Sequence, residues 1–456
     1  MPAFSLEEIV AATGADTAQR EKDNFTDVVT DTRKISEGVL FVALRGERFN
    51  GEDFAGEALS KGAAGVMVST ACPAEKLRDI RGTVLRVKDT QRAYQQIAHL
   101  WRRKFRLPVI AITGSNGKTT TKELVAAVLS AKGPVLKTQG NFNNEIGLPL
   151  TLLGLRREHR AAVVEIGMRG LGQIEALAPI AEPSVGIVTN VGETHLELLG
   201  TMENIARAKA ELVEAIPSGG TVILNGDNDY VAAMREKAAP GVRVLTFGLE
   251  READVRGRDI RIEENVTRFT ADCGKESCEY LLPMVGQHNV YNALAAITAG
   301  IALGLSSEEI REGLSHSEAA KMRFEVQQKG EYRIVNDAYN ASPMSMTAAI
   351  RTLSDLAPGR KIAVMGDMLE LGAASEEAHF RVGAELAEKE FAAVVTRGKM
   401  GKRIAEGAEK GGIREVYPCA SHEEAAEVLK RILQPGDTVL FKGSRGMQME
   451  KIIDLF

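Results

Sequence analysis

Residues 107–129 carry the clearest pattern of apolar and polar positions in the chain. Val109, Ile110 and Ile112 form a β-branched run, while Leu124, Val125, Val128 and Leu129 recur at helical spacing. The segment therefore reads as a buried strand, a glycine turn and a helix. The alternation continues with apolar runs at 161–167, 185–190 and 221–225, separated by helical stretches such as 203–212. Apolar runs return at 333–337, 361–366, 391–396 and 438–442. Repeated strand-helix units of this kind predict parallel sheets with ligands at the carboxyl ends of the strands. Between about 250 and 285 the pattern shortens to polar-apolar alternation, as in 259–263 and 266–270, and predicts antiparallel strands. The first 103 residues predict an amphipathic helix, a strand within 39–44, and a helix end, glycine turn and strand across 58–68. The fold class is α/β in three domains, 1–103, 104–318 and 319–456.

Composition narrows the classes of partner. At 456 residues the chain can bury several cores. Its 57 basic and 62 acidic residues leave a net charge of -5, which points away from nucleic acid and anionic membranes. Of Cys72, Cys273, Cys278 and Cys419 only the pair at 273 and 278 is close, at no usual zinc or redox spacing, and all four read as buried or incidental thiols. Acidic residues stand where a secretory leader would be basic, and the longest apolar stretch, 293–305, is too short to span a bilayer. A cytoplasmic chain is expected.

The turn after residue 113 holds the strongest candidate chemistry. Gly114 and Gly117, with Ser115 and Asn116 between them, allow the backbone to turn its N–H groups inward beside the positive end of the following helix. Lys118 adds a charge, and the Thr119 hydroxyl is placed to reach a phosphate-bound Mg²⁺. The usual G-x-x-x-x-G-K-[ST] spacing would put glycine at 112, where Ile112 stands, so the match is a shortened T-G-x-x-G-K-T. A glycine-capped strand-to-helix turn is the plainer alternative.

Other candidates are weaker singly. Glu165 interrupts an apolar run and needs a partner or a cation. It reads as a salt-bridged core carboxylate or a magnesium ligand, His195 as a helix cap or a metal ligand, and Lys209 as a solvated helix face or a site residue. Asn289 and Asn292 share a helix face and suit a base edge, although Asn289 is also a plausible helix cap. Arg33 beside a glycine-rich loop suits a diphosphate or is a surface charge. Asp337 ends a strand or caps a helix, and Arg445 is a loop donor or a surface charge.

Taken together, the motifs resemble those of the Mur ligase family. The resemblance rests on Thr113-Gly-Ser-Asn-Gly-Lys-Thr-Thr120, the run 140–153, Glu165-Ile-Gly-Met168, Asn190-Val-Gly-Glu-Thr-His195, His288-Asn289 with Asn292, and Met322-Arg-Phe-Glu325. It extends through Asn336-Asp-Ala-Tyr-Asn-Ala-Ser-Pro343, Met365-Gly-Asp-Met-Leu-Glu-Leu-Gly372 and Lys442-Gly-Ser-Arg-Gly-Met447. It implies an N-terminal domain for a uridine diphosphate sugar, a central P-loop ATPase and a C-terminal Rossmann-like domain. The implied reaction uses ATP and Mg²⁺ to join D-alanyl-D-alanine to UDP-N-acetylmuramoyl-tripeptide through an acyl phosphate.

By the same resemblance Lys118 holds the β- and γ-phosphates within a cradle of Gly114 to Thr120. Thr119 and Glu165 bind one Mg²⁺, and His195 a second. Lys209 matches a lysine carried as a carbamate. Asn289 and Asn292 match adenine contacts, and Arg323 and Asp337 match contacts to the phosphates and ribose. Asn141 and Asn144 lie near the sugar-peptide, and Asp31 and Arg33 near the uridine diphosphate. The expected partners are these small molecules alone, with no nucleic acid, no membrane insertion and the chain as a monomer.

One departure concerns the nucleotide sugar: where the family commonly has Asp-Gly-His, this chain has Asn50-Gly51-Glu52. For the base that deprotonates the attacking amine, Glu376 and His379 are candidates. A sister ligase adding a diamino acid resembles a D-N-P-R pattern in its last domain, and this chain has none. A folylpolyglutamate synthetase would lack the N-terminal domain. A guanine-nucleotide switch would carry N-K-x-D, also missing here.

Overall fold

The computed structural model describes residues 3–46, 49–77, 81–263, 265–357 and 359–456. Glu47 and Arg48 of the glycine-rich loop at 45–51 lie outside the described residues. The chain forms two compact units, one of Met1–Ala111, Lys132–Ile166 and Glu175–Pro183, the other of Ile112–Ala131, Gly167–Ile174 and Ser184–Phe456.

In the first unit the expected opening helix is Leu6–Thr13, started by a reciprocal Ser5–Glu8 capping box and stopped by left-handed Gly14. A five-stranded sheet follows in the order Asp16–Gln19, Thr83–Val87, Gly65–Ser69, Leu40–Val42, Val28–Val29. All of its pairs are parallel except the first. The helix, turn and strand read at 58–68 are Ala55–Ser60, Gly62 at φ 103° and Gly65–Ser69. Later in the unit Val135–Lys137 pairs parallel with Ala161–Glu165, whose residues are all buried.

In the second unit Val185–Val188, Thr221–Asn225, Arg243–Gly248 and Val255–Ile262 run parallel, and Thr267–Cys273 and Glu276–Leu282 complete the sheet antiparallel. The alternating segment expected from about 250 opens at Val255, and its first strand is antiparallel on one side only, being parallel to Arg243–Gly248 on the other. Arg258 points out and pairs with Asp272 at 2.8 Å, while a Cβ at Gly257 would fall 2.5 Å from Leu249 Cδ2.

The last region is a six-stranded sheet in the order Glu325–Lys329, Tyr332–Asp337, Thr438–Lys442, Lys361–Gly366, Ala393–Arg397, Glu415–Cys419. Only the first pair is antiparallel. Its inner strands read as apolar runs because both faces are covered. Val335, Met365, Val394 and Leu440 enter one core with Met346 and Ile350, while Ile334, Val364, Val395 and Val439 enter the other with Leu429 and Ile452. All four cysteines are free thiols, buried or half-buried. Among the described residues no helix is long and apolar enough to cross a membrane.

Candidate active site

The strand Val109–Thr113 is buried throughout and delivers the chain into the glycine turn, after which the helix Lys118–Leu129 starts at once. Both glycines are required. Gly114 has φ 149° and a Cβ there would fall 1.9 Å from Thr189 Oγ1; Gly117 has φ 81° and a Cβ there would fall 2.4 Å from Asn292 Oδ1. The loop after Val185–Val188 braces the turn from outside. Ser115 N–H donates to Asn190 O at 2.9 Å, Asn116 N–H to Asn190 Oδ1 at 2.8 Å, and Thr189 Oγ1 to Asn116 O at 2.6 Å. Ser115 Oγ donates to Gly192 O and accepts from Gly192 N–H. The first N–H groups of a helix lack intrahelical acceptors, so a turn held this firmly offers an anion fixed donors.

Lys118 Nζ donates to Gly114 O at 2.8 Å and Ser115 O at 3.3 Å, which suspends the ammonium over the turn. Beside it the Thr119 hydroxyl accepts from Arg323 Nη2 at 2.9 Å. The Arg323 guanidinium lies 4.3 Å from the Tyr339 ring centroid, a cation–π contact, and its neighbours Met322 and Phe324 are both left-handed. Asp337 supports this strained segment: its Oδ1 accepts from Phe324 N–H at 3.1 Å and its Oδ2 from Lys442 Nζ at 2.5 Å. It caps no helix, since Ser342 caps Pro343–Leu356. Ser342 Oγ also donates to Asn116 Oδ1 at 2.9 Å, a second link from the last region to the phosphate turn. Arg445 pairs with Glu450 at 2.7 Å.

Asn289 and Asn292 are buried on the helix Gln287–Ala302, whose cap is Gly286 rather than Asn289. Asn292 Oδ1 accepts from Thr121 Oγ1 at 3.2 Å, its Nδ2 donates to Asn289 Oδ1 at 3.2 Å, and Asn289 Nδ2 donates to Val285 O at 2.9 Å. The pair therefore buttresses the phosphate turn.

His195 starts the short helix Leu196–Leu199 without making a side-chain cap. Its Nδ1 lies 2.5 Å from Glu370 Oε2. Burial holds the imidazole below its ordinary pKa; Glu370 opposes this, and the charges of Lys209 and Lys118 add to it. Lys209 is not on a solvated face. It is 2% exposed on the helix Met202–Glu214, and burial, reinforced by Lys118, pushes its ammonium far below its ordinary pKa. The pattern 203–212 misled because the long Lys209 stem occupies the apolar face that Ile205, Ala208 and Leu212 also line.

The remaining candidates lie in the first unit. Glu165 is buried at the end of its strand, with Oε1 accepting from Asn143 Nδ2 at 2.7 Å. Asn144 Oδ1 accepts from Gly147 N–H at 2.9 Å where Gly147–Leu153 begins, and Asn141 is exposed nearby in sequence. Asp31 and Arg33 pair at 2.7 Å, with the arginine side chain 86% exposed, and the guanidinium lowers the Asp31 carboxyl to about 2. Glu52 accepts from Ser69 N–H at 2.9 Å and latches the turn after the glycine-rich loop onto Gly65–Ser69.

One expectation fails on geometry. His379 is fully buried, its Nε2 accepts from Met368 N–H at 2.8 Å, and its Nδ1 lies 2.6 Å from Ser375 O as donor. Both nitrogens hold the backbone, so it is no base for an amine; Glu376 is exposed on the same helix. Sequence reasoning missed Glu370, Tyr339 and Lys442 as partners of His195, Arg323 and Asp337. Each stood inside a motif, but which side chains meet depends on folds far apart in sequence.

Among the described residues no three His, Cys, Asp or Glu side chains are grouped to hold a metal. A phosphate cradle whose glycines admit no Cβ, with a lysine, a threonine hydroxyl and an arginine from the last region converging on it, defines a protein that binds the phosphate chain of a nucleotide.

Family models agree with this class: that of the Mur ligase middle domain matches residues 112–300, that of the "Mur ligase, glutamate ligase domain" 322–445, and that of the "Mur ligase family, catalytic domain" 24–102. The chain belongs to the Mur ligase family. A relative from Bacillus subtilis, 39% identical over 98% of this chain and 96% of its own length, is named UDP-N-acetylmuramoyl-tripeptide–D-alanyl-D-alanine ligase. Among solved structures, MurF from Acinetobacter baumannii is similar with a TM-score of 0.92 at 34% identity, covering 100% of this chain and 99% of that one. MurF from Thermotoga maritima in complex with ADP is similar with a TM-score of 0.84 at 29% identity, covering 94% of this chain and 96% of that one.

Proposed function

We propose that this chain ligates D-alanyl-D-alanine to UDP-N-acetylmuramoyl-tripeptide at the expense of ATP, giving the pentapeptide precursor of peptidoglycan in the cytoplasm. The observation that carries the reading is the end-to-end similarity to chains that bear this activity in their names, with the phosphate turn intact. The γ-phosphoryl group passes to the terminal carboxylate of the tripeptide as its bond to ADP breaks. The dipeptide amine then attacks the acyl carbon, the C–O bond to phosphate breaks, and the amine's proton goes to solvent.

Two anions must meet in the first step, so the residues' work is mainly electrostatic. Lys118 holds its charge at the β- and γ-phosphates; within the cradle Gly114 to Thr120 the N–H groups of Ser115 and Asn116 are spent on Asn190, and those of Gly117 to Thr120, at the start of the helix, serve the phosphate chain. Arg323, stacked on Tyr339 and bonded to Thr119, brings the last region's charge to the same place. Asp337 positions the Arg323 segment and is available to the ribose, while Asn289 and Asn292 set the turn beneath the nucleotide. By the family resemblance Thr119 and Glu165 would hold one magnesium, and His195 and Lys209 another. Magnesium, when bound, neutralises phosphate charge. Lys209 is suited to carry a carbamate: burial and the neighbouring Lys118 favour its neutral amine, which can take up carbon dioxide, releasing a proton and reversing the local charge. Asp31 and Arg33 serve the uridine diphosphate, and Asn141 and Asn144 the sugar-peptide.

The working division is residues 1–103 for the nucleotide sugar, 104–318 for ATP and 319–456 for completing the site, in a monomer. The test is a ligation assay with mass detection. Formation of the UDP-N-acetylmuramoyl-pentapeptide, dependent on ATP and magnesium, is expected. Ligation of free diaminopimelate or lysine to the dipeptide precursor instead would assign the chain to the sister enzyme.

A further inference from the structure

Glu370 is a carboxylate to which the ligase reading gives no role, yet three contacts converge on it. Its Oε2 lies 2.5 Å from His195 Nδ1, its Oε1 accepts from Arg169 Nη2 at 2.6 Å, and its backbone carbonyl accepts from Glu197 N–H at 3.1 Å. Two residues on, Gly372 packs so closely that a Cβ would lie 3.1 Å from Glu197 Cα. His195 and Glu370 both adopt left-handed backbone, at φ 56° and 65°, a conformation non-glycine residues avoid. Strain on both sides of one hydrogen bond marks a contact that the surrounding structure holds in place.

The chemistry of the contact is directional. An ionised carboxylate only accepts, so the proton between the two groups sits on Nδ1, and the lone pair of the neutral ring is left on Nε2. This is the tautomer able to ligate a cation, and a carboxylate on the far nitrogen is the arrangement that fixes such a ligand. Arg169, on the other oxygen, keeps the carboxylate ionised and orients it. Glu370 belongs to the loop after the strand Lys361–Gly366, whereas His195 and Arg169 belong to loops of the middle region.

We propose that Glu370 is a positioning residue that locks His195 in its Nε2-ligating tautomer, so that the cation site at His195 is complete only while the loop 367–372 is seated on residues 195–197. This rests on the ligase reading only in taking His195 to face a cation. The tautomer follows from the contact itself.

The test uses the full chain labelled with ¹⁵N-histidine, without nucleotide, the His195 signals being assigned by their loss in His195→Ala. Long-range proton–nitrogen spectra should show Nδ1 protonated and Nε2 bare in the wild type. In Glu370→Ala the two nitrogens should move toward averaged shifts, while Glu370→Gln, which keeps an acceptor, should stay near wild type. With ADP present, Mn²⁺ followed by electron paramagnetic resonance should bind about ten-fold more weakly to the Ala variant, the scale on which such supporting contacts act. In turnover, kcat should fall while KM for the nucleotide-sugar peptide holds. His195 spectra that superimpose in wild type and Glu370→Ala overturn the proposal, as does a bare Nδ1 in the wild type. Should the Ala variant not fold, the wild-type spectrum and Glu370→Gln decide alone. Absence of ligation by the wild type would instead count against the ligase reading, and the tautomer result would still stand.

Discussion

Replacing Gly117 by alanine tests how the phosphate turn is built. Two costs are readable from the structure. The residue sits at φ 81°, where an L side chain costs about 1–2 kcal/mol, and its Cβ would stand 2.4 Å from Asn292 Oδ1. Asn292 must then move. It gives up the bond from Thr121 Oγ1 and strains the one to Asn289, at about 1 kcal/mol each when such bonds are lost. The sum is about 3 kcal/mol of stability. Because the same shift displaces the N–H groups that face phosphate, turnover should fall by roughly 10²-fold, the scale of an ångström-sized misplacement. Urea denaturation and steady-state ligation measure the two effects. Gly219→Ala is the control: its φ is 83° but nothing lies within 4 Å of the added Cβ, so only the backbone cost of about 1–2 kcal/mol remains. Gly117→Ala/Asn292→Ala should recover part of the turnover lost by Gly117→Ala. Equal costs at positions 117 and 219, with turnover intact, would refute the reasoning.

Three further outcomes are expected. Lys118→Ala should lower kcat by about 10²–10³-fold while KM for the peptide substrate changes little, because its charge meets charge that develops in transit; unchanged turnover would remove the lysine from the mechanism. Lys209→Ala should lose most activity and regain part of it with added acetate or formate but not with amines, whereas full activity or rescue by amines would make Lys209 a plain buried lysine. Burial lowers the His288 ring to about 4, with Lys442 adding to the effect and Asp337 opposing it, so the unfolded chain takes up a proton near pH 6.5 that the folded chain refuses. Stability should therefore be full above that pH and decline as pH falls toward 4, by at most about 1.4 kcal/mol per pH unit, and the urea midpoint of His288→Gln should vary less across this window.

Much of this architecture was legible because the parallel strands are covered on both faces and advertise themselves as apolar runs, from 109–113 to 438–442. The edges were harder. Glu415–Cys419 carries Pro418, which an edge strand tolerates but which breaks the pattern a reader looks for. In the site, Lys118 and Thr119 could be placed from spacing alone, because a turn and the helix after it are local. The partnerships of Glu370 with His195, Tyr339 with Arg323 and Lys442 with Asp337 were not legible. Each joins residues whose meeting is set by sheet order and loop packing. Lys209 shows the same limit from the other side: a charged residue in a helical run looks solvated until the packing over its stem is known.

The most direct test of the account follows the oxygen. UDP-N-acetylmuramoyl-tripeptide carrying ¹⁸O at both oxygens of its terminal carboxylate is incubated with ATP, magnesium, D-alanyl-D-alanine and the full chain, and both products are weighed by mass spectrometry. If the carboxylate is phosphorylated and the amine then displaces phosphate, each pentapeptide formed releases one inorganic phosphate bearing a single ¹⁸O. Pentapeptide formed with unlabelled phosphate would contradict the acyl phosphate route, and failure to form pentapeptide at all would contradict the assignment.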